Sequence, residues 1–126
     1  MNRAAALFSC VALAACASPY ETQVEPIFVR SCAAVECHAD ASFESGLTLA
    51  EGEGYDAIVG VPSVQSDLNL VEPGDPDASY LWHKINGTHA EFDNSPEPTG
   101  AMPSEDTTLP AGDLATVRDW ILDGAR

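Results

Sequence analysis

Apolar residues along this chain gather into short runs at helical spacing, separated by stretches that keep no helical period. Val24, Ile27, Phe28 and Ser31 fall near one face and predict a first helix that ends at about Cys32. Two capping boxes compete for its start, Ser18-Pro19-Tyr20-Glu21 and Thr22-Gln23-Val24-Glu25. The later one is favoured, because Pro26 then sits in the first turn, where its missing N–H is harmless. From Ala39 to Gly54 the chain reads as a loop in which Leu47 and Leu49 alternate inward, and Tyr55 to Val59 read as a short helical piece. The turn at Val71-Glu72-Pro73-Gly74-Asp75-Pro76 ends on a good cap, with Pro at the first helical position. It predicts a helix from Pro76 to about Ile85 with Leu81 and Ile85 on its apolar side, Ala78 and Trp82 adjoining, and a stop at Asn86-Gly87. Leu114, Val117 and Ile121, with Trp120 beside them, form the stripe of a last helix from about Pro110 to Asp123, closed by Gly124.

The front of the chain follows a different pattern. Met1-Asn2-Arg3 gives a short positive start, Ala4 to Ala15 are free of charge, and Leu13-Ala14-Ala15-Cys16 ends the run with small residues before a cysteine. A bilayer span needs about 20 apolar residues, more than this run supplies. The segment resembles a bacterial lipoprotein signal. That resemblance implies cleavage before Cys16 and acylation of its thiol and new amino group, which tethers the mature protein to a membrane; several acyl chains on one residue give lasting attachment. Ala17 and Ser18 follow, with no aspartate beside the cysteine, which by the same resemblance favours the outer membrane, on its periplasmic side. The expected organisation is a signal over residues 1–15, a lipidated tether over 16–22 and one domain over 23–126. An ordinary cleaved signal with an incidental Cys16 is the alternative.

Charge and composition narrow the partners. The chain carries 20 acidic residues against five Lys and Arg, a formal net charge of −15, and Arg3 leaves with the signal. Nucleic acid is excluded as a partner, since binding it requires a basic face. An acidic surface suits a basic partner protein and equally serves solubility. Nine Gly and nine Pro, all beyond the signal, predict a loop-rich domain, better suited to helices draped around a cofactor than to a repeating architecture. Of the four cysteines, Cys10 leaves with the signal and Cys16 takes lipid, so Cys32 and Cys37 are the pair left inside the domain.

That pair lies in Cys32-Ala33-Ala34-Val35-Glu36-Cys37-His38. Two cysteine sulfurs can add to the two vinyl groups of a porphyrin, and the next residue is then held beneath the iron, where a histidine nitrogen binds it. The usual pattern has two residues between the cysteines; this chain has four. The vinyl separation is fixed, so the extra residues must loop outward. At about 100° per residue, a helix would turn the two cysteines roughly 140° apart, so the motif is expected to start at a helix end and unwind. Three other readings use the same residues. One is a Cys32–Cys37 disulfide in a haem-free lipoprotein that acts as a binding or scaffold module, with His38 at the surface. Another is a haem enzyme or sensor with an open distal side. The third is a zinc site of Cys32, Cys37, His38 and His83, disfavoured because Cys37 and His38 are neighbours poorly placed to share one metal.

The order of pieces over the mature chain resembles small monohaem c-type cytochrome domains found in bacterial lipoproteins and fused to larger redox enzymes. The pieces are a helix leading to Cys32–His38, the Val71-to-Pro76 turn leading into Ser79-Tyr80-Leu81, Gly100-Ala101-Met102-Pro103 in a late loop, and the closing Trp120-Ile121-Leu122-Asp123-Gly124-Ala125. The resemblance implies an all-α, class I cytochrome c-like fold of a few short helices around one covalent haem c, held by Cys32 and Cys37. It also implies His38 as proximal and Met102 as distal iron ligand. Gly100 lets the backbone approach the ring and Pro103 stiffens the loop beside the ligand. His83 and His89 are the competing distal ligands. Trp82, Trp120, Tyr55 and Tyr80 are assigned no role beyond core packing. With both axial positions filled no site remains for substrate, and the expected function is electron transfer between a donor and an acceptor protein, not enzymatic turnover.

Overall fold

The computed structural model describes residues 16–42, 44–104 and 107–126; the expected signal, with Cys10, lies outside them. The described chain is helical and loop-rich, and its only strand-like pairings are isolated bridges. A π-helical turn, Tyr20–Val24, runs straight into α1 (Glu25–Ser31), and α2 (Gly54–Ile58), α3 (Tyr80–Asn86) and α4 (Ala111–Leu122) follow.

The first helix starts at the earlier of the two capping boxes, not the later. Ser18 N–H donates to Glu21 Oε2 at 2.6 Å while Glu21 N–H donates to Ser18 Oγ at 3.2 Å, the reciprocal pair of a capping box. Pro26 is then internal to a continuous helical segment, where its ring would crowd the carbonyl four residues back. The wide turn relieves this, since Glu25 N–H bonds to Tyr20 O, five residues back, instead of keeping the α register. Tyr20 falls in the stretch expected as tether, yet it is fully buried in the core.

The helix expected from Pro76 to Ile85 is two elements. Asp75 Oδ1 caps a 3₁₀ turn, Pro76–Ala78, by accepting from Ala78 N–H at 3.2 Å. Ser79 is extended (φ −110°, ψ 107°) and fully buried, its Oγ donating to Asp75 O at 2.8 Å and accepting from Glu72 N–H at 2.9 Å. These bonds replace the helical register at Ser79, so α3 begins afresh at Tyr80. It stops as expected at Gly87, left-handed at φ 80°. Between α2 and α3 the chain makes an unexpected tight excursion, closed by an antiparallel bridge from Pro62 to Asn69 and, at its base, by a parallel bridge from Val59 to Val71.

Val24, Ile27 and Phe28, Ile58, Val71, Ile85, and Val117, Trp120 and Ile121 make one core. Tyr20 packs its ring 5.3 Å from both Trp120 and Tyr55, an aromatic cluster that locks the π-helical turn to α4. Gly54 makes room for the Tyr20 hydroxyl, which a Cβ there would strike. The last helix closes with Ala125 N–H to Trp120 O and Gly124 N–H to Ile121 O, a Schellman pair around Gly124 at φ 97°.

Candidate functional site

Cys32 stands where α1 ends. Its N–H still reaches Phe28 O at 2.8 Å, but its own backbone (φ −128°, ψ −30°) has left the helix. The next residues turn back: Cys37 N–H bonds to Ala34 O at 3.0 Å, His38 N–H to Cys32 O at 3.1 Å, and Glu36 takes φ 73°. Val35 is 79% exposed at the tip of this excursion, so the four-residue spacer loops outward as its length requires. Cys32 and Cys37 are separate thiols, the first buried and the second exposed. Burial pushes the Cys32 thiol up to about 11.

His38 is buried, and its ring orientation is fixed by the stretch where Leu47 and Leu49 point inward. Its Nδ1 lies 3.1 Å from Leu47 O, and Leu49 N–H bonds back to His38 O at 2.8 Å. A carbonyl can only accept, so Nδ1 carries a proton, and in the neutral ring the lone pair is left on Nε2, the arrangement in which a histidine steadied from behind can bind a metal.

A cavity of about 680 Å³ unites these residues with distant ones. Its lining includes Cys32, Cys37, His38 and Met102, although Met102 lies far along the chain. Phe28, Leu47, Leu49, Leu70, Leu81 and Ile85 supply apolar wall, and Val64, 76% exposed, marks where the lining reaches solvent. Size and apolar lining are those of a small-molecule or cofactor site. Met102 is half-buried, packs against the core, and donates its N–H to Lys84 O at 3.0 Å, one of the α3 carbonyls that a helix end leaves free.

The two competing histidines are turned elsewhere. His83 Nε2 donates to Asp77 O at 2.9 Å, Nδ1 pairs with Thr88 Oγ1 at 2.7 Å, and the ring stacks on Phe92 at 3.9 Å. His89 Nε2 donates to Thr99 O at 2.8 Å, and its Nδ1 is buried without a partner among the described residues. Neither ring lines the cavity. Among the described residues no three His, Cys, Asp or Glu side chains converge on one point, so the zinc arrangement with His83 is not assembled. Tyr80 departs from plain core packing by lining the cavity with its hydroxyl 3.3 Å from Thr99 Oγ1, whereas Trp120 is core and donates Nε1–H to Arg126 O. Cys16, the expected lipidation site, is exposed at the start of the described chain.

Sequence reasoning missed Lys84. It is the only lysine in the chain, buried on the cavity wall, with Nζ donating to Thr99 Oγ1 at 3.0 Å and to Gly100 O. Desolvation pulls its ammonium below the ordinary lysine range, and the Asp93 carboxylate opposes that shift. Asp93 is held well below the usual carboxylate range, first by the Thr99 hydroxyl and then by the Ser95 N–H. The available signal was a lone lysine within Tyr80-Leu81-Trp82-His83-Lys84-Ile85, a run otherwise apolar or aromatic but for His83, in a strongly acidic chain. No protein-family model matches this chain, and neither a curated protein nor a solved structure does.

Proposed function

We propose that this protein is a lipid-anchored electron carrier that holds one haem c through Cys32 and Cys37, with His38 and Met102 as iron ligands. One observation carries the reading: two thiols, a histidine with a free Nε2 and a methionine, brought from two distant segments, line a single largely apolar cavity. The donor set fits the group. Thiols on the cavity wall can add to vinyl carbons, imidazole and thioether are ligands that haem iron takes, and the apolar wall excludes water from a flat hydrophobic ring. A helical, loop-rich chain is compatible with a class I cytochrome c-like fold.

When bound, the haem supplies a reversible one-electron couple. The chain's own residues set its conditions. His38, steadied by Leu47 O, would offer a ligand of fixed orientation and Met102 a thioether ligand, and a metal held by both would leave substrate no place to bind. Thioether ligation raises the potential relative to a second histidine, while the many carboxylates favour the more positive ferric state. Acylated Cys16 tethers the domain at the periplasmic face of a membrane, the outer one favoured, where a donor and an acceptor protein exchange electrons with it. No helix among the described residues is long and apolar enough to cross a membrane.

Expression with the cytochrome maturation system, then a haem stain on a denaturing gel and a reduced absorbance spectrum, tests the reading. A stained band and sharp low-spin bands are expected. An unstained band, with two thiols that appear only on reduction, would instead identify a haem-free disulfide protein.

A further inference from the structure

The segment that presents Met102 has no regular structure, and methionine is flexible at three side-chain bonds, so something must hold it at the cavity. Three residues earlier, hydrogen bonds converge on Thr99. Its N–H donates to Asp93 Oδ2 at 3.0 Å, its hydroxyl donates to the same oxygen at 2.5 Å, and its carbonyl accepts from His89 Nε2 at 2.8 Å. The hydroxyl oxygen also takes Lys84 Nζ at 3.0 Å and lies 3.3 Å from the Tyr80 hydroxyl. A hydroxyl has one proton to give and two lone pairs to fill, and here all three are used.

Lys84 closes the device. Its ammonium holds Thr99 and Gly100 O, and its own carbonyl takes Met102 N–H, so one residue of α3 grips the segment on both sides of Ala101. Gly100 and Ala101 bring no polar side chain of their own. We infer that Thr99, clasped by Asp93, His89 and Lys84, is a positioning residue that keeps the Met102 sulfur at the cavity. The inference rests on the reading of Met102 as an iron ligand. It adds a second layer to that reading, in which residues that never touch the iron decide whether the distal position stays filled.

The test compares haem-loaded wild type, Thr99→Val, Thr99→Ser and Met102→Ala at equal haem per chain. Two quantities are read, the rate of carbon monoxide binding by the reduced form and the midpoint potential. Valine keeps the shape and removes the hydroxyl's three bonds, so Thr99→Val should bind carbon monoxide roughly tenfold faster than wild type or more, at a lower potential. Serine should restore both readings, and Met102→Ala should set the upper limit of the rate. A clasp that merely stiffened the fold would lower the melting temperature and leave both readings unmoved. Inert Thr99→Val beside a reactive Met102→Ala would overturn the clasp alone, whereas Met102→Ala indistinguishable from wild type would overturn the ligand reading with it. If Thr99→Val does not fold, Asp93→Asn serves in its place, and wild-type inertness in that variant overturns the clasp.

Discussion

The attachment segment, Cys32 to His38, and the methionine segment, Thr99 to Pro103, line the same cavity and are held by different means. The first grows from a helix end. Its bonds run between near neighbours, from Phe28 O through His38 to Leu47 O and Leu49 N–H. The second belongs to no element and is held from outside, by Lys84 of α3 and by His89 and Asp93 in the turn beyond it. A locally built segment carries its chemistry in adjacent letters, while an externally held one depends on partners that no short motif contains.

The comparison breaks most completely at His38. His38→Ala should remove the low-spin spectrum of the proposed haem site altogether, and a wild-type spectrum in the variant would refute the ligand. Next comes the shared floor: Phe28 is fully buried, belongs to the core and lines the cavity beneath the attachment segment, so Phe28→Ala should destabilise the fold by about 3–5 kcal/mol in urea unfolding. Thr99→Val strips a hydroxyl from a half-buried network and should destabilise by about 1–3 kcal/mol, so a loss below that range would show the methionine segment to be held by packing rather than polar bonds.

The smallest effect is a dependence on pH that only the methionine segment should show. The Asp93 carboxyl is depressed in the folded state, so its contribution is fully present above the ordinary carboxylate value of about 3.9 and fades as pH falls below it. The stability gap between wild type and Asp93→Asn should therefore be constant from neutral pH down to about 4 and then close. Thermal melts across that range read it directly. A gap that persists unchanged well below pH 4 would remove Asp93 from the clasp.

The same contrast explains what was legible in the sequence. The end of α1 at Cys32, the outward spacer, the inward Leu47 and Leu49, and the glycine stops at Gly87 and Gly124 are all local features, and the structure has them where the pattern put them. The misplaced helix start and the break at Ser79 came from competition between nearby backbone and side-chain bonds that hydrophobic spacing does not register. A π-helical turn spared Pro26 by widening the register, and Ser79 exchanged helical bonds for Glu72 and Asp75. The bridged excursion between Val59 and Val71 joins short segments with no sustained alternation. Met102 lies in a stretch with no helical period, and its proposed role came from resemblance alone. The Thr99 clasp was invisible, because Lys84, His89, Asp93 and Thr99 acquire meaning only once folded together.

Intact mass of the protein, purified under denaturing and reducing conditions from a periplasmic host that attaches haem, tests the central claim most directly. The proposed site predicts the mass of the mature chain, with whatever lipid Cys16 carries, plus one haem, with no thiol at Cys32 or Cys37 open to alkylation. The bare chain mass, with both cysteines alkylated, would contradict it.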